Sequence, residues 1–282
     1  MPEMPEVEIT KRVLEKQLKF LKIFKIQVFK DKLRWNIKND LKKLFLNCII
    51  LKTYRLGKYI IIPTDKNICL IIHLGMSGVL KIRFKNEKLE KHDHVKFTML
   101  DKNEKKIYLI YNDPRRFGFI DYCYKNKLKC HFLLKNLGVE PLSNNLNKDY
   151  LLKKFKNKNV SIKTALLDQK IIAGIGNIYA SEILFLSKTH PLINVKYIDV
   201  NKAIKICKSI KSILSGAIKK GGTTIKDFKN PNGKLGYFKQ KLQVYSRAGE
   251  KCFVCNNKIK MINFGGRATF YCDTCQKSPK VY

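Results

Sequence analysis

The sequence is poor in acidic residues relative to basic ones. Its 22 aspartate and glutamate residues face 58 lysine and arginine residues, which gives a formal net charge of +36. A surplus of this size favours a polyanionic partner, with DNA or RNA first. Part of the surplus reflects base composition, because lysine, isoleucine and asparagine are the residues that AT-rich codons supply.

Long apolar segments are also missing. No apolar run reaches the length of a membrane span. The N-terminus carries Glu3, Glu6 and Glu8, and it has neither the basic leader nor the apolar stretch of a signal peptide. Internal repeats and long disordered tracts are absent as well. The sequence therefore predicts a soluble cytoplasmic protein, without a membrane anchor and long enough for two domains.

The nine cysteines fall into two groups. Five of them stand in apolar or helical contexts and are interpreted as small core residues in a reducing compartment: Cys48, Cys69, Cys123, Cys130 and Cys207. The other four form a C-x2-C-x16-C-x2-C pattern: Cys252, Cys255, Cys272 and Cys275. Each C-x2-C turn aims two thiolates at one ion, and two such turns complete a tetrahedron. With no fifth ligand nearby, the pattern predicts one structural Zn2+ ion.

A β-hairpin is predicted between the two cysteine pairs. The segment from Lys258 to Tyr271 is typical of a hairpin that turns at Gly265-Gly266. The hairpin presents Arg267 close to the metal. A guanidinium at this place suits a bidentate phosphate contact, and the alternative is an ordinary exposed arginine.

The chain opens with Met1-Pro2-Glu3. Removal of Met1 makes Pro2 a secondary amine at the N-terminus, with a pKa of about 7.7–8.0 that leaves roughly a tenth of it unprotonated at pH 7. Such an amine attacks a carbonyl carbon without a separate base, and the product is an iminium. Proline at position 2 is common, so this feature alone decides nothing.

Hydrophobic periodicity divides the chain into a β-rich part and a helical part. Residues 6–21 have helical spacing, which predicts a helix after the opening proline. From about residue 24 to 125, short β-branched and aromatic runs between polar turns are typical of a β-sandwich. These runs are Ile49–Leu51, Tyr59–Ile62, Cys69–Ile72, Val79–Ile82 and Ile107–Ile110. Beyond about residue 132 the spacing predicts helices, including Ile162–Leu167, Asn177–Leu186 and Val200–Ala217.

Several short strings, in one order from residue 2 to about 276, carry a family resemblance. They are Pro2–Glu8 (PEMPEVE), Gly57–Tyr59 (GKY), His73–Gly78 (HLGMSG), Lys91–His94 (KHDH), Asp113–Gly118 (DPRRFG), Ala173–Tyr179 (AGIGNIY), Gly221–Thr224 (GGTT), Gly236–Phe238 (GYF), Val244-Tyr245 and the cysteine module. Together they resemble the bacterial formamidopyrimidine-DNA glycosylases, also called 8-oxoguanine DNA glycosylase/lyases. No single string is decisive, but their number and order are specific.

The resemblance implies an α+β fold in three parts. An N-terminal β-sandwich catalytic domain with an N-terminal helix is expected at residues 2–132. A helical DNA-binding domain with a helix–two-turn–helix motif and a lesion-capping loop is expected at 133–240, and a four-cysteine zinc finger β-hairpin at 241–282. The expected partner is damaged double-stranded DNA, bound between the domains by a monomer that is associated with the bacterial nucleoid when on DNA.

The resemblance also implies roles for four catalytic residues. Pro2 is expected to attack C1′ of the damaged nucleotide and Glu3 to exchange protons at the sugar. Lys58 matches the lysine that donates a proton in β-elimination, and Arg267 matches the arginine associated with δ-elimination. Without the resemblance, Glu3 is a carboxylate at a helix N-terminus, and Lys58 is a phosphate contact or one of many solvated lysines.

Eight further residues match the DNA contacts of the family. Three of them match the side chains that fill the space left by the extruded base: Met76, Arg115 and Phe117. Their chemistry fits, since methionine is adaptable, phenylalanine wedges between base pairs and arginine binds base edges. The others are His73, His92, Lys163, Asn177 and Tyr245. For Met76 and Phe117 the alternative is core packing, and for the two histidines it is a structural role.

The segment from Thr223 to Tyr237 matches the loop that closes over the extruded base. Asn230-Pro-Asn-Gly233 within it suits a moving loop.

Two positions depart from the family pattern, and the C-terminal tail extends past it. Ser246 stands where the family usually has glycine, and Asn159 occupies a position that is often basic. The tail Lys277–Tyr282 is assigned no role.

Two other functions compete with an oxidised-purine glycosylase/lyase. Endonuclease VIII-like glycosylases share Pro2, Glu3 and the zinc finger but act on oxidised pyrimidines, and they lack the pairing of Met76 with Arg115-x-Phe117. A non-catalytic zinc-stabilised DNA-binding protein is the alternative from another class. Intact Pro2, Glu3, Lys58 and Arg267 argue against it.

Overall fold

The computed structural model describes residues 2–223, 231 and 241–277. The chain divides into two compact units, of which the first comprises Met1–Lys135 and Lys220–Tyr237 and the second comprises Asn136–Lys219 and Phe238–Tyr282. Among the helices described, none is long and apolar enough to cross a membrane. Most of the expected capping loop, 224–230 and 232–237, lies outside the described residues, as do Met1 and residues 278–282.

The first unit contains two helices, a 3-10 turn and two antiparallel sheets. The helices are α1 (Met4–Leu18) and α2 (Leu41–Phe45), and the 3-10 turn spans Lys125–Cys130. The strands are β1 (Lys22–Val28), β2 (Tyr54–Leu56), β3 (Tyr59–Pro63), β4 (Ile68–His73), β5 (Val79–Arg83), β6 (Asp93–Leu100), β7 (Lys106–Asn112) and β8 (Phe119–Tyr124). One four-stranded sheet has the order β1-β6-β7-β5 and the other has the order β2-β3-β4-β8. The predicted β-sandwich with an N-terminal helix is confirmed.

Both sheets and α1 contribute to one apolar core. Phe97 and Leu109 from the first sheet, Ile60 and Ile72 from the second, and Leu14 from α1 are all buried in the same cluster. Strands with one buried face bring apolar side chains inward at every second residue, and burying each such side chain contributes about 1.5–3 kcal/mol. The core therefore fixes the sheets whose loops carry the candidate site.

Two sequence expectations about this unit need correction. Ile49–Leu51 was expected to be a strand, but this segment makes only isolated bridges, such as the one between Ile50 and Thr64. Cys123 and Cys130 were interpreted as core residues, yet Cys123 is half-buried and Cys130 is exposed. Cys130 ends the 3-10 turn at the surface, where a helical-looking context does not imply burial.

The second unit is mainly helical and ends in a hairpin. Its elements are α3 (Lys148–Phe155), α4 (Ile162–Leu167), α5 (Asn177–Leu186), a 3-10 turn (Val195–Tyr197), α6 (Val200–Lys219), β9 (Lys260–Phe264) and β10 (Arg267–Tyr271). The bounds of α4 and α5 agree with the prediction, and α6 extends two residues further. In the hairpin Phe264 pairs with Arg267, so the turn lies at Gly265-Gly266 as predicted.

Gln169 makes three hydrogen bonds within the connection between α4 and α5. Gln169 donates from Nε2 to the carbonyl oxygens of Leu167 (3.0 Å) and Ile175 (2.8 Å). Its Oε1 accepts from the backbone N–H of Gly174 at 2.7 Å. These bonds satisfy backbone groups of two successive turns, which places Gly176 as the N-cap of α5.

Replacement of Ser246 by glycine is expected to stabilise the protein. Ser246 has φ +60°, a conformation that costs an L-residue about 1–2 kcal/mol, and it is exposed. Glycine removes that strain but gains entropy in the unfolded chain, so we expect Ser246→Gly to raise the free energy of unfolding by roughly 0.5–1 kcal/mol. Urea unfolding measures this.

The matched control is Ser212→Gly, in the interior of α6 at an exposed position. Glycine in a helix is unfavourable, so this variant should be less stable than the parent. A Ser246→Gly protein that is destabilised as well contradicts the strain argument.

Candidate active-site residues

The N-terminal segment is fixed in place rather than frayed. Pro2 is buried, and Glu3 is the buried N-cap residue of α1. The backbone N–H of Glu3 donates to Glu6 Oε2 at 2.9 Å. Because chain termini are usually poorly ordered unless tied down, this bond gives Pro2 a defined position.

Glu6 is a residue whose role the sequence reasoning missed. Its second oxygen, Oε1, accepts from the backbone N–H of Thr223 at 2.8 Å, and the carboxylate is 1% exposed. Gly222, with φ +81°, approaches so closely that a Cβ there would lie 3.0 Å from Glu6 Oε1. A carboxylate three residues after a helix N-cap is the spacing of a capping box, and that signal was available in the sequence.

Lys58 lies in a two-residue turn that is tied to α1. Leu56 pairs with Tyr59, so Gly57 and Lys58 form the turn between β2 and β3. Arg55 donates from Nη1 to the Gly57 carbonyl at 2.8 Å and from Nε to Glu8 Oε2 at 3.0 Å. Although burial opposes it, the hydrogen bonds and charges of nearby arginines, Arg55 among them, lower the pKa of Glu8. Arg55 thus connects the helix that begins beside Pro2 with the turn that carries Lys58.

His73 is held as a neutral hydrogen-bond donor. It ends β4, and its ring stacks on Phe119 with centroids 5.2 Å apart and planes 5° apart. Gly75 N–H donates to His73 Nδ1 at 3.0 Å, which places the proton of the neutral ring on Nε2. Burial, with the positive charges of Lys58 and Arg34, lowers the pKa of His73 to about 3. The ring therefore stays neutral at physiological pH, and Nε2–H remains the donor.

The two loops that carry the predicted wedge residues are joined by a close backbone contact and by hydrogen bonds to one buried carboxylate. Gly75 in the first loop has φ +62°, and a Cβ there would lie 2.3 Å from the backbone nitrogen of Gly118 in the second. Asp113 is fully buried and accepts from Ser77 Oγ at 2.6 Å and from Gly118 N–H at 2.8 Å. The buried carboxylate thus joins loop 74–78 to loop 113–118.

The wedge side chains themselves point to solvent. Met76 is 39% exposed and Phe117 is 43% exposed, so neither serves as core packing. Arg115 is exposed as well, and its guanidinium lies over the Phe117 ring at 4.9 Å. Large exposed apolar side chains on rigid loops suit insertion into another molecule. The structure brings Met76, Arg115 and Phe117 together on adjoining loops.

His92 belongs to the same end of the sandwich. Its carbonyl oxygen accepts from the backbone N–H of Asp113 at 3.1 Å, and its φ is +72°. The ring of His92 is 6.4 Å from that of His94, centroid to centroid. His94 in turn donates from Nε2 to the Asp113 carbonyl at 2.8 Å. His92 is therefore positioned beside the loop that carries Arg115.

In the second unit, two side chains donate hydrogen bonds to the strand that begins with Arg267. Lys163 on α4 is 1% exposed and donates to Thr269 Oγ1 at 2.6 Å and to the Ala268 carbonyl at 3.3 Å. Asn177, the first residue of α5, donates from Nδ2 to the same carbonyl at 2.9 Å. Both residues were expected to contact DNA, and the structure shows them positioning the neighbour of Arg267.

An open groove of about 330 Å³ lies beside Arg267. Its lining comes from α4, from the residue that follows α4 and from the hairpin turn: Lys163, Thr164, Leu167, Asp168, Phe264, Gly265 and Arg267. Arg267 is exposed at its edge. A guanidinium here is available to a phosphate.

Tyr245 is fixed by a buried carboxylate on α5. Glu182 Oε1 accepts from the backbone N–H groups of Val244 (3.0 Å) and Tyr245 (2.9 Å), and Oε2 accepts from that of Gln243 (2.8 Å). Burial raises the pKa of Glu182 although these three bonds oppose the shift. The Tyr245 ring packs edge-on against Phe270 at 5.1 Å. The segment before the zinc finger is thereby attached to the helical core.

The four cysteines of the finger fit one zinc ion. Their sulfur atoms all lie within 4.8 Å of one another, with Cys252–Cys275 at 3.9 Å and Cys255–Cys272 at 3.4 Å. Tetrahedral coordination with Zn–S bonds of about 2.3 Å places sulfurs about 3.8 Å apart. A four-sulfur set leaves no open position, so the ion is structural. Gln276 anchors the finger by donating to the Thr189 carbonyl at 2.8 Å.

Comparison with known proteins identifies the family. Models match the formamidopyrimidine-DNA glycosylase N-terminal domain over residues 1–120, the formamidopyrimidine-DNA glycosylase H2TH domain over 137–229, and the zinc finger found in FPG and IleRS over 249–277. The formamidopyrimidine-DNA glycosylase of Rickettsia bellii is 44% identical over 99% of this chain and 100% of its own. That of Zymomonas mobilis is also 44% identical, over 98% and 100%.

The chain belongs to the formamidopyrimidine-DNA glycosylase family. Solved structures of the Lactococcus lactis relative agree with this. Its complex with DNA containing an abasic site has a TM-score of 0.90, at 33% identity over 98% of this chain and 100% of that one. Its complex with DNA containing N7-benzyl-Fapy-dG has a TM-score of 0.90 at the same identity and coverage. The predicted family, α+β fold and structural zinc are therefore confirmed.

Loss of the Asp113 carboxylate is expected to destabilise the two loops that carry the predicted wedge residues. Asp113→Ala leaves the Ser77 hydroxyl and the Gly118 N–H without their buried acceptor, at about 1–3 kcal/mol for each group. We expect the free energy of unfolding to fall by roughly 2–4 kcal/mol and affinity for an abasic-site duplex to fall with it. Urea unfolding and fluorescence anisotropy measure the two effects.

Glu87→Ala is the control, because it removes only an exposed ion pair with Arg83. Such pairs contribute about 0–1 kcal/mol. If Asp113→Ala behaves like Glu87→Ala in both assays, the two loops do not depend on the buried carboxylate.

Proposed function

We propose that this family member excises oxidised purines, 8-oxoguanine and formamidopyrimidines, from duplex DNA through an iminium on Pro2 and nicks the strand by β,δ-elimination. The observation that carries the proposal is the buried, hydrogen-bonded N-terminal segment. Glu3 caps α1 and its backbone is held by Glu6, so the Pro2 nitrogen has a fixed position. DNA glycosylase and AP lyase activities are those of the family.

The first chemical step uses the two N-terminal residues. The Pro2 amine attacks C1′ of the extruded nucleotide, a C–N bond forms, and the damaged base leaves. Glu3, 1% exposed, exchanges protons with the sugar. Extrusion is required because C1′ and its base are shielded within the stack. A secondary amine has one proton to lose, so the first product is a neutral aminal at C1′. The C1′–O4′ bond of the sugar then breaks as Glu3 protonates O4′, and the product is a cationic iminium that draws electrons from C2′.

The elimination steps use Lys58 and Arg267. Lys58, in the turn that Arg55 ties to α1, donates a proton in β-elimination. Arg267 binds the phosphate beside the lesion and assists δ-elimination. The expected product is a one-nucleotide gap with phosphate at both ends.

The remaining residues bind damaged double-stranded DNA. Met76, Arg115 and Phe117 fill the space that the extruded base leaves, with Arg115 toward the orphaned cytosine edge. His73 Nε2–H, His92, Asn177 and Tyr245 contact the DNA backbone. For Lys163 we propose a phosphate contact in addition to its bonds to the hairpin. The net charge of +36 supports steep weakening of binding with salt.

Complexes of a relative support oxidised purines as substrates and also suggest oxidised pyrimidines. A mutant of the Lactococcus lactis relative is described in complex with Fapy-dG DNA, at 33% identity and a TM-score of 0.89. The wild-type relative is described with DNA containing an oxidised pyrimidine, at 33% identity and a TM-score of 0.89. Oxidised pyrimidines are therefore a second candidate substrate.

Three further points belong to the proposal. The division into 2–132, 133–240 and 241–282 is supported by family-model matches at 1–120, 137–229 and 249–277. A monomer working at the bacterial nucleoid is expected from the DNA substrate. The segment from Thr223 to Tyr237, most of which lies outside the described residues, is proposed as the loop that caps the extruded base.

Borohydride trapping tests the proposal. Reduction of the iminium leaves a stable covalent protein–DNA adduct, and we expect one on a duplex with 8-oxoguanine opposite cytosine. A non-cleavable tag before Pro2 should abolish the adduct because it removes the free amine. Pro2→Gly, which keeps a primary amine, should retain part of it.

The alternatives predict different results. Trapping on an oxidised-pyrimidine duplex alone would assign the chain to endonuclease VIII-like chemistry. Tight binding without trapping on either duplex would indicate a non-catalytic DNA-binding protein. An adduct of undiminished yield from the tagged protein would rule out the Pro2 amine.

A further inference from the structure

Two cysteines outside the zinc cluster face each other across a pair of strands. The register of β4 and β8 sets Cys69 directly opposite Cys123. The ladder continues beyond them, since Ile68 pairs with Tyr124 and Lys125 N–H donates to the Asn67 carbonyl at 2.8 Å. The pair is therefore fixed by ladder bonds on both sides.

This geometry is within the span of a disulfide. Directly opposed residues of an antiparallel pair have Cα atoms about 4.5–5.5 Å apart and side chains on the same face. A disulfide requires a Cα separation of about 4.4–6.8 Å. The two sulfurs can therefore join without moving the strands.

The two thiols differ in access to solvent. Cys69 is fully buried, whereas Cys123 is half-buried. A small oxidant in solution therefore reaches Cys123 first, and Cys69 is the neighbour that attacks the product. Cys48 and Cys207 are also buried, but neither lies in a strand paired with another cysteine.

We propose that Cys69 and Cys123 form a cross-strand dithiol that closes to a disulfide when a hydroperoxide oxidises Cys123. The Cys123 sulfur attacks the terminal peroxide oxygen, the O–O bond breaks, and a sulfenic acid and an alcohol or water result. The Cys69 sulfur then attacks the Cys123 sulfur, the S–O bond breaks, and water leaves with the thiol proton. The peroxide takes up the two electrons that the thiols lose.

The electrostatic surroundings make this a slow reaction. Burial, with a contribution from Cys69, raises the pKa of Cys123 to about 11, and burial raises that of Cys69. The reactive thiolate is then a small fraction at neutral pH. Closure is expected under sustained oxidation rather than after a brief pulse, and a thiol reductant reverses it.

The position of the pair indicates that closure stabilises the sheet without blocking the site. β4 leads into the loop with Met76, and β8 follows the loop with Phe117. The cysteines lie four positions along each strand from the His73–Phe119 pair that borders these loops. A cross-link here closes a long chain segment, which lowers the entropy of the unfolded state. The expected result is a higher Tm with unchanged register at His73 and Phe119.

Peptide mapping of the zinc-loaded protein tests the proposal. After hydrogen peroxide treatment and alkylation of free thiols, trypsin should release peptide 67–81 joined to peptide 117–125, at the sum of their masses less two hydrogens. The Tm of the oxidised protein should rise by several degrees and return after reduction. Cys69→Ser and Cys123→Ser should each abolish both effects, whereas Cys48→Ser should keep both.

Zinc release is followed in the same samples with a chromophoric chelator. A linked peptide that forms while zinc stays bound supports the proposal. Zinc loss before any linked peptide forms overturns it, as does a cross-link between Cys123 and a cysteine of the finger. A linked peptide that forms without a rise in Tm overturns the stabilising role.

Discussion

The placement of Pro2 depends on the buried carboxylate of Glu6. An ionised carboxylate is costly to bury unless its oxygens are hydrogen-bonded, and here both oxygens have backbone donors, Glu3 N–H at 2.9 Å and Thr223 N–H at 2.8 Å. The first donor holds the start of the chain, and the second holds a segment 217 residues later. One side chain thereby fixes both the N-terminus and the point where the expected capping loop begins.

Buried carboxylates that accept hydrogen bonds from loop residues also occur near the other candidate site residues. Asp113 joins the two wedge loops through Ser77 and Gly118, and Glu182 holds the backbone of 243–245. Hydrogen bonds from N–H groups to a buried carboxylate are strong because the acceptor is charged. In a chain with only 22 acidic residues, three of them thus organise loops from inside.

Features with a short sequence range could be predicted. The bounds of α4 and α5 followed from apolar spacing, and the zinc site followed from the spacing of Cys252, Cys255, Cys272 and Cys275. Long-range contacts could not be predicted, because nothing local to Asp113 or Glu182 indicates partners 36 or 61–63 residues away. For the same reason the bonds of Lys163 to the hairpin, 106 residues along the chain, were unforeseen. Ile49–Leu51 has the composition of a strand, but Ile49 and Ile50 make only isolated bridges, to Lys22 and Thr64.

The most direct test of this account is single-turnover borohydride trapping with Glu6→Gln. Glutamine keeps the size of the side chain, but its amide NH2 meets one of the two backbone N–H donors, so one charge-assisted bond is lost, at about 1.5–3 kcal/mol. The account predicts adduct formation slowed by at least roughly tenfold, with affinity for an abasic-site duplex within about twofold of the parent. Glu15→Gln, which breaks only the i,i+4 pair with Lys11 on the same helix, should trap at the parent rate. If Glu6→Gln traps as fast as Glu15→Gln, the position of Pro2 does not depend on the Glu6 carboxylate.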